Sequence, residues 1–497
     1  PSLIPENDNI AMHLALRWKK YCCMLCWLLC SCLALAQDFH AMNGSPYAGG
    51  LGVHNNPASI VSNPFPWDIT LLGMQVKGSS NIIRIQNYSL LSSPLGSQYE
   101  LKAGNFSRYA DLETNINIFN ARVALSRKRA IAFGMRARSY LQAKSSPYNF
   151  IDTLQRAADF FKLNEQNQAL GLSMTGSSWL ELYASYAQTI LDNAWGRLQA
   201  GVSLSVSRGL AGAYARVSNG RFSRLSGAEP ASYLLEKAYW NYGYSANFDQ
   251  WKDGDPLSEN INRFFQFTDG GASMDLGLEF LVKNQAPTTV FDEDDYFDYD
   301  WKIGLALLDA GINRFKYGRE SRAGLDFNSR ATDIQLESSF DTSISNLSDF
   351  NDSVEVIAAG LGQPGGQFNI MNPMRLVLNV DRPLGNHFFL NAELSLNLGQ
   401  LLPGDRLYLK QMNQLVITPR WENRHFGLYM PLQLNTHQQL WLGAAFKAGP
   451  LLFGLHSLGH IFSKKSFPNG GGYIALIFRA PSLTRQRYDK RLDCPPL

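Results

Sequence analysis

The sequence predicts an all-β fold, a transmembrane antiparallel β-barrel of about fourteen strands with long extracellular loops. Three observations carry the prediction. The C-terminal third alternates in period two between short turns, and the N-terminus reads as an export leader. Beyond that leader, no run of about 18 apolar residues offers a helical membrane span.

The leader comes first. Arg17, Lys19 and Lys20 precede the apolar run from Tyr21 to Leu35, and Leu33-Ala34-Leu35-Ala36 forms an A-x-A-type cleavage site before Gln37. Residues 1–36 are therefore expected to be upstream sequence plus a cleaved signal peptide, with Met12 as the start. Five of the six cysteines fall in this leader, which leaves Cys494 with no partner for an internal disulfide or a structural zinc site. A net charge of +3 over 497 residues gives no case for nucleic acid. Export, few cysteines and the absence of apolar helices together point to the outer membrane of a Gram-negative bacterium.

The strands follow in order. Trp67–Lys77 opens the set, and Asn115–Leu125 turns through Ser126-Arg127-Lys128 into Arg129–Tyr140. Leu180–Ile190 and Gly196–Arg208 pair next, then Ala272–Lys283 and Trp301–Asp309. Pro373–Arg382 pairs with Phe388–Leu398, Gln414–Trp421 with His425–Gln433, and Leu440–Lys447 with Leu451–Leu458. Gly472–Arg479 closes the barrel, which spans residues 67–479 and leaves 480–497 as a periplasmic tail. The count is even, and both termini fall on the short-turn, periplasmic side.

Side chains alternate across a strand, so each segment has two faces. Leu198, Ala200, Val202, Leu204 and Val206 share one face of Gly196–Ser207. In a barrel that face meets lipid, and Arg197, Asp275, Glu279, Asp381 and Glu393 point into the lumen. Aromatic residues near strand ends (Trp67, Tyr140, Trp301, Phe388, Trp421, Phe426, Trp441, Phe446, Tyr473, Phe478) suit interfacial girdles. By the same parity Leu141–Trp179, Gly209–Gly271 and Ala310–Asn372 lie outside the cell, with helix-like periodicity over Ile151–Gln166 and Ala231–Trp240.

Between the cleavage site and the first strand stand Gly49-Gly50-Leu51-Gly52 and Asn55-Asn56-Pro57-Ala58-Ser59. This layout resembles the N-terminal region of the long-chain fatty-acid transporter superfamily of outer-membrane barrels. The segments Leu442–Leu451 and Lys490–Pro495 are similar to an uncharacterised Bacteroidota branch of these barrels, and the type IX secretion shuttle barrel is a more distant relative. The resemblance implies that residues 37–66 form a hatch or plug inside the barrel, with Asn56, Pro57 and Ala58 belonging to it. The long polar insertions and the tail depart from the transporter pattern, so no fatty-acid-binding residues carry over.

Catalytic signatures are weak. No G-x-S-x-G occurs. Gly360-Leu361-Gly362-Gln363-Pro364-Gly365 matches a dinucleotide fingerprint in letters, but Pro364 and the sequence after it cannot open a helix. His456 and His460 straddle Gly459 at a strand end, and His387, His425 and His437 lack sequence-local partners. The acidic run Asp292-Glu293-Asp294-Asp295, with Asp298 and Asp300, reads as a solvated periplasmic turn; calcium or a docking partner are the alternatives. No enzyme, cofactor or metal is expected.

Two classes of function remain. One is a plugged barrel that passes a hydrophobic or amphipathic solute, which calls for an apolar pocket beneath the plug. The other is a scaffold or shuttle in a secretion or surface-assembly machine, with loops and tail docking a protein partner. Outer-membrane lipid surrounds the barrel in either case. A lumen filled solely by paired charges, such as Arg197 with Glu279, would argue against transport.

Overall fold

A computed structural model of the chain describes residues 39–86, 98–152, 156–167, 169–227, 232–252, 254–283, 299–324, 331–340, 344, 346–357, 361–401, 406–459 and 469–480. The leader, the acidic run Asp292–Asp298, His460 and the tail with Cys494 lie outside these residues.

Fourteen strands close into one antiparallel barrel. They are β1 (Trp67–Ser80), β2 (Gly104–Ser126), β3 (Arg129–Phe150), β4 (Leu170–Asp192), β5 (Gly196–Arg224), β6 (Gly270–Lys283) and β7 (Tyr299–Lys316). The rest are β8 (Gln367–Met371 with Arg375–Gly385), β9 (Phe388–Asn397), β10 (Gln414–Glu422), β11 (Phe426–Tyr429 with Leu432–Asn435), β12 (Leu440–Leu442 with Ala444–Ala448), β13 (Leu451–Leu455) and β14 (Asn469–Arg479). β14 pairs back onto β1 from Asp68↔Arg479 to Ser79↔Asn469, and β1 pairs with β2, so no free edge is left in the wall. The breaks within β8 and β11 fall at Pro373 and Pro431, which have no N–H to give the ladder.

The wall is apolar outside and polar inside. Leu182, Leu204, Val206, Leu278, Leu305 and Phe453 are exposed on the outer face, while Arg122, Asp381, Arg420 and Lys447 are buried within. A soluble sandwich reverses this order, because exposed leucine costs free energy in water and none in hydrocarbon. The chain is therefore an outer-membrane barrel. Short turns gather at one end, at residues 125–129 and 192–196 for example, and the long connections stand at the other, extracellular end. Trp67, Trp301, Phe388, Phe426 and Phe478 form an exposed ring near the short-turn end. Tyr140, Trp441 and Tyr473 were expected in the girdles but are buried inside.

The extracellular side departs furthest from expectation. β2 to β5 run well past the membrane instead of dissolving into loops, and β5 alone has 29 residues. At about 3.3 Å per residue it far exceeds an apolar band roughly 25 Å tall. The described part of Ala231–Trp240, residues 232–240, is not helical. A strand, Tyr233–Tyr244, pairs with the upper part of β5 from Arg224↔Tyr233 to Ala213↔Tyr244. Tertiary pairing overrides the local helical pattern here, because the extended β5 offers a free edge to a segment rich in tyrosine and tryptophan. Among the described residues of Ile151–Gln166 the helix is α1, Ala157–Leu163. Three more helices follow among the described residues: α2 (Leu257–Gln266), α3 (Asp333–Ser339) and α4 (Leu347–Ile357). Thr332 caps α3 through a capping box with Gln335. α3 and α4 pack against the Tyr233–Tyr244 strand through Trp240, Phe340, Phe350 and Val354, and Phe161 of α1 joins Phe222 and Tyr233.

Candidate functional site

The interior is occupied by residues 39–66. Two short 3-10 turns, Gly49–His54 and Pro57–Ile60, give this segment its shape. Asn56 has extended backbone and caps the second turn, its Oδ1 accepting from the Ala58 N–H at 2.9 Å, while Pro57 sits at the first position, where its missing N–H costs nothing. The Asn56 Nδ2 donates to the Leu278 carbonyl of β6 at 2.9 Å.

Three glycines on neighbouring strands make room for this turn. A Cβ on Gly201 of β5 would meet the backbone of Pro57 and Ala58 at 2.5–2.7 Å; on Gly277 of β6 it would land on the Asn56 amide oxygen; on Gly304 of β7 it would meet Asn56 Nδ2 at 2.9 Å. Gly201 and Gly277 are also direct cross-strand partners. The Asn-Pro-Ala turn is seated in a cleft that side chains would fill, the close backbone approach that glycine inside a strand signals. These glycines were passed over in the sequence reading, and their position inside apolar-polar alternation was the available signal.

Cations hold the rest of the segment by its backbone. Arg122 of β2 donates to the carbonyls of Ile60 (2.6 Å) and Phe65 (2.8 Å), and Lys302 of β7 donates to that of Gly44 (2.6 Å). Arg375 of β8 reaches His54 O at 3.2 Å, Arg420 of β10 reaches Gly44 O at 3.4 Å, and Arg479 of β14 reaches Tyr47 O at 3.0 Å. Carboxylates hold its amides and hydroxyls. Glu393 accepts from Asn43 and Asn55, Glu422 from Ser45, and Asp68 from the Gly50 N–H. The segment is thus tied to the wall on opposite sides of the barrel.

Several of the interior charges are paired with one another. Arg420 binds Asp381 in a two-pronged pair at 2.6 and 2.9 Å and Glu422 at 2.6 Å, and the Tyr299 hydroxyl donates to Asp381. A second cluster joins Arg136 with Glu181 at 2.6 Å, Arg138 with Asp309, and the Asp309 N–H with Asp275 at 2.6 Å. Arg136 also donates to Nδ1 of His54 at 2.9 Å. That bond needs a neutral imidazole. Burial, then Arg136, Arg138 and Arg375, hold His54 well below the usual histidine range, and Asp309 opposes them.

Of the five polar residues expected to face inward, Asp275, Glu279, Asp381 and Glu393 are buried within the barrel. Arg197 is only half-buried at the short-turn end, where its Nε lies 3.6 Å from Asp192. Its position at the start of β5 sets it beside Asp192, its cross-strand partner on β4. Glu279 lies elsewhere, with Lys302 and Asn56 around a void of about 20 Å³.

No apolar pocket of solute size borders the segment among the described residues. The two voids against it measure about 10 and 20 Å³, room for roughly one water each. An apolar lumen wall does exist, and the segment covers it. Tyr429, Ala445, Leu452, Tyr473, Ala475 and Ile477 of β11–β14 pack against Phe39, Met42 and Leu51. The larger opening, about 760 Å³, lies between the extended strands and is lined by Ser107, Lys144, Ser173, Arg216 and Asn241 together with Leu172, Val217 and Tyr239, a mixed surface.

His437 does have a partner. Its Nε2 lies 3.1 Å from Asp111, 326 residues away in the chain, and its ring stacks on Tyr109 at 3.6 Å. The Gln367–Met371 strand, not a helix, follows the glycine-rich Leu361–Gly366 stretch. Among the described residues no group of three histidine, cysteine, aspartate or glutamate side chains is placed to hold a metal ion.

Residues 57–456 match the model of a family of unknown function, DUF5723, and the chain belongs to that family. No curated protein matches it in sequence. Similar solved structures include a Pseudomonas aeruginosa FadL homologue (10% identity, 88% of this chain and 95% of that one, TM-score 0.37). The Pseudomonas putida toluene transporter TodX is another (11%, 89% and 96%, 0.28). A third is the translocator domain of the autotransporter NalP from Neisseria meningitidis (10%, 84% and 90%, 0.30).

Proposed function

We propose that this family member is a plugged transporter for hydrophobic or amphipathic solutes, with residues 39–66 as the plug and the state described here as the closed one. One observation carries the reading: the apolar strip on the lumen wall of β11–β14 is covered by Phe39, Met42 and Leu51 of the segment itself. An apolar solute is attracted to such a strip only when those three side chains leave it. The remaining seat is suited to release, because its bonds are polar contacts to backbone carbonyls and carboxylates that water can replace. The resemblance of Gly49–Ser59 to the hatch region of the fatty-acid transporter superfamily supports the same solute class.

Release of the plug is therefore the step on which transport depends. Asn43 and Glu393, hydrogen-bonded at 3.0 Å, are replaced by cysteines in a Cys494→Ser background and joined by a short bifunctional thiol reagent. Uptake of a labelled long-chain fatty acid into proteoliposomes is then compared before and after joining. Uptake that stops on joining and returns with a cleavable reagent supports the proposal. Uptake unaffected by the tether, or no uptake from a barrel lacking residues 39–66, refutes it.

A scaffold role is the second reading. The observation behind it is the wall of β2–β5 and Tyr233–Tyr244 that stands beyond the membrane and carries α3 and α4. A stoichiometric protein recovered with the native barrel in mild detergent, in a strain where solute uptake is normal without it, favours that reading.

A further inference from the structure

α2 lies on the outside of the barrel, at the height where the apolar band ends. On β5 the outward face carries Leu204 and Val206, exposed by 60% and 63%, and the next outward residue is Arg208. Arg208 pairs across the wall with Leu180 and Gly270, both outward positions. Its guanidinium donates to the Phe265 carbonyl in α2 and to the Thr268 hydroxyl just beyond it, and the Gly209 N–H donates to the Asp269 carbonyl. The C-terminal end of α2 is thus fastened to the outer face one step above Val206.

The helix is two-faced. Asn260 is buried, its amide held by the carbonyls of Lys252 and Asp255, and Arg263 is paired with Asp255 at 2.5 Å. Phe264 packs edge-on against Phe248. Leu257, Ile261 and Phe265 recur every four residues and form one stripe, exposed by 64%, 41% and 41%. Glu259 and Gln266 lie about half a turn away, on the polar flank. Phe267, just beyond the helix end, is also exposed. This much apolar surface on one short helix is costly in water.

We infer that α2 is an interfacial anchor whose Leu257-Ile261-Phe265 stripe inserts into the acyl region of the outer leaflet. The occupant follows from continuity: the stripe adjoins the lipid-facing column of Leu204 and Val206, and Arg208 joins the two. An amphipathic helix of this kind lies in the plane of the membrane with its apolar face about 5–10 Å into the headgroup boundary. It would fix the barrel's vertical position and brace the junction where β5 changes partner from β6 to the Tyr233–Tyr244 strand.

The test uses the chain from Gln37 onward, in which Cys494 is the sole cysteine, with Cys494→Ser and one added cysteine, Leu257→Cys, Phe265→Cys or Glu259→Cys, each carrying an environment-sensitive fluorophore. The protein is reconstituted into phosphatidylcholine vesicles. Compact migration without boiling confirms that each variant has folded. The expected result is that the Leu257 and Phe265 probes lose quenching by aqueous iodide and are quenched by a nitroxide near the headgroup of the lipid, while the Glu259 probe behaves in the opposite way. Iodide quenching at all three sites with no lipid quenching overturns the anchor. Energy transfer between two chains labelled at Phe265→Cys, lost on dilution into excess lipid, also overturns it, in favour of a second copy of the chain.

Discussion

Gly201→Ala isolates the seating of the N-terminal segment from the stability of the barrel. Gly201 lies in β5 and its backbone is not in the left-handed region, so alanine fits the strand itself. The new methyl carbon would stand 2.5 Å from the Ala58 nitrogen and the Pro57 carbonyl carbon, and 2.7 Å from the Pro57 oxygen. Ordinary contacts need about 3.5 Å, so the turn must move by roughly 1 Å. All three atoms are backbone, and no flexible side-chain end can swing aside. Moving the turn also disturbs the Asn56 bond to Leu278. Overpacking of this kind costs about 1–3 kcal/mol, which shifts the balance of seated and released segment by about 5- to 150-fold toward release. Single-channel recording in planar bilayers reads the outcome: the native barrel should be nearly silent and Gly201→Ala should show frequent openings. Gly78→Ala in β1 is the control, because the nearest atom to its added methyl is 3.7 Å away. A Gly201→Ala barrel that folds and stays as silent as the native protein would refute the reasoning.

Other perturbations test the same picture from different sides. Acid should loosen the segment. His54 has its pKa lowered when seated, so the released segment binds the proton more readily, and seating should weaken as pH falls below about 6.5 by up to 1.4 kcal/mol per pH unit. His54→Asn should flatten this dependence in conductance recorded from pH 7.5 to 5.5, values chosen to bracket the ordinary histidine range. Asp381→Leu leaves Arg420 buried with only Glu422 as a charged partner and should cost about 3–5 kcal/mol in urea unfolding followed by gel migration. A loss below about 1 kcal/mol would show that the cluster is not tightly closed. Leu278→Arg, on the lipid face near the middle of β6, should cost about 2–4 kcal/mol in folding into bilayers and far less in detergent. Phe39→Ser with Met42→Ser removes the apolar cover from β11–β14 and should increase openings and the binding of a fluorescent fatty acid together; binding unchanged would count against the lumen strip as the solute surface.

The barrel was legible because alternation is local. Leu204 and Ser205 declare opposite faces through nothing more than the strand's two-residue period, and fourteen such segments with short turns on one side leave little choice of architecture. The extracellular part was less legible, since Tyr233–Tyr244 carries a helical spacing and becomes a strand only because β5 extends far enough to supply a partner. The interior was the least legible. Arg122, Lys302 and Arg479 bind carbonyl oxygens, which every residue possesses, so no motif in the segment announces the contact. His437 and Asp111 meet across 326 residues. By itself the sequence determined the two-faced alternation of the wall strands, because that depends on neighbours along one strand, whereas Tyr140, Trp441 and Tyr473 were misplaced by it. Only the tertiary structure decided how residues 39–66 are seated, which glycines receive the Asn56-Pro57-Ala58 turn and which charges pair, because closing the barrel brings distant strands round one narrow interior.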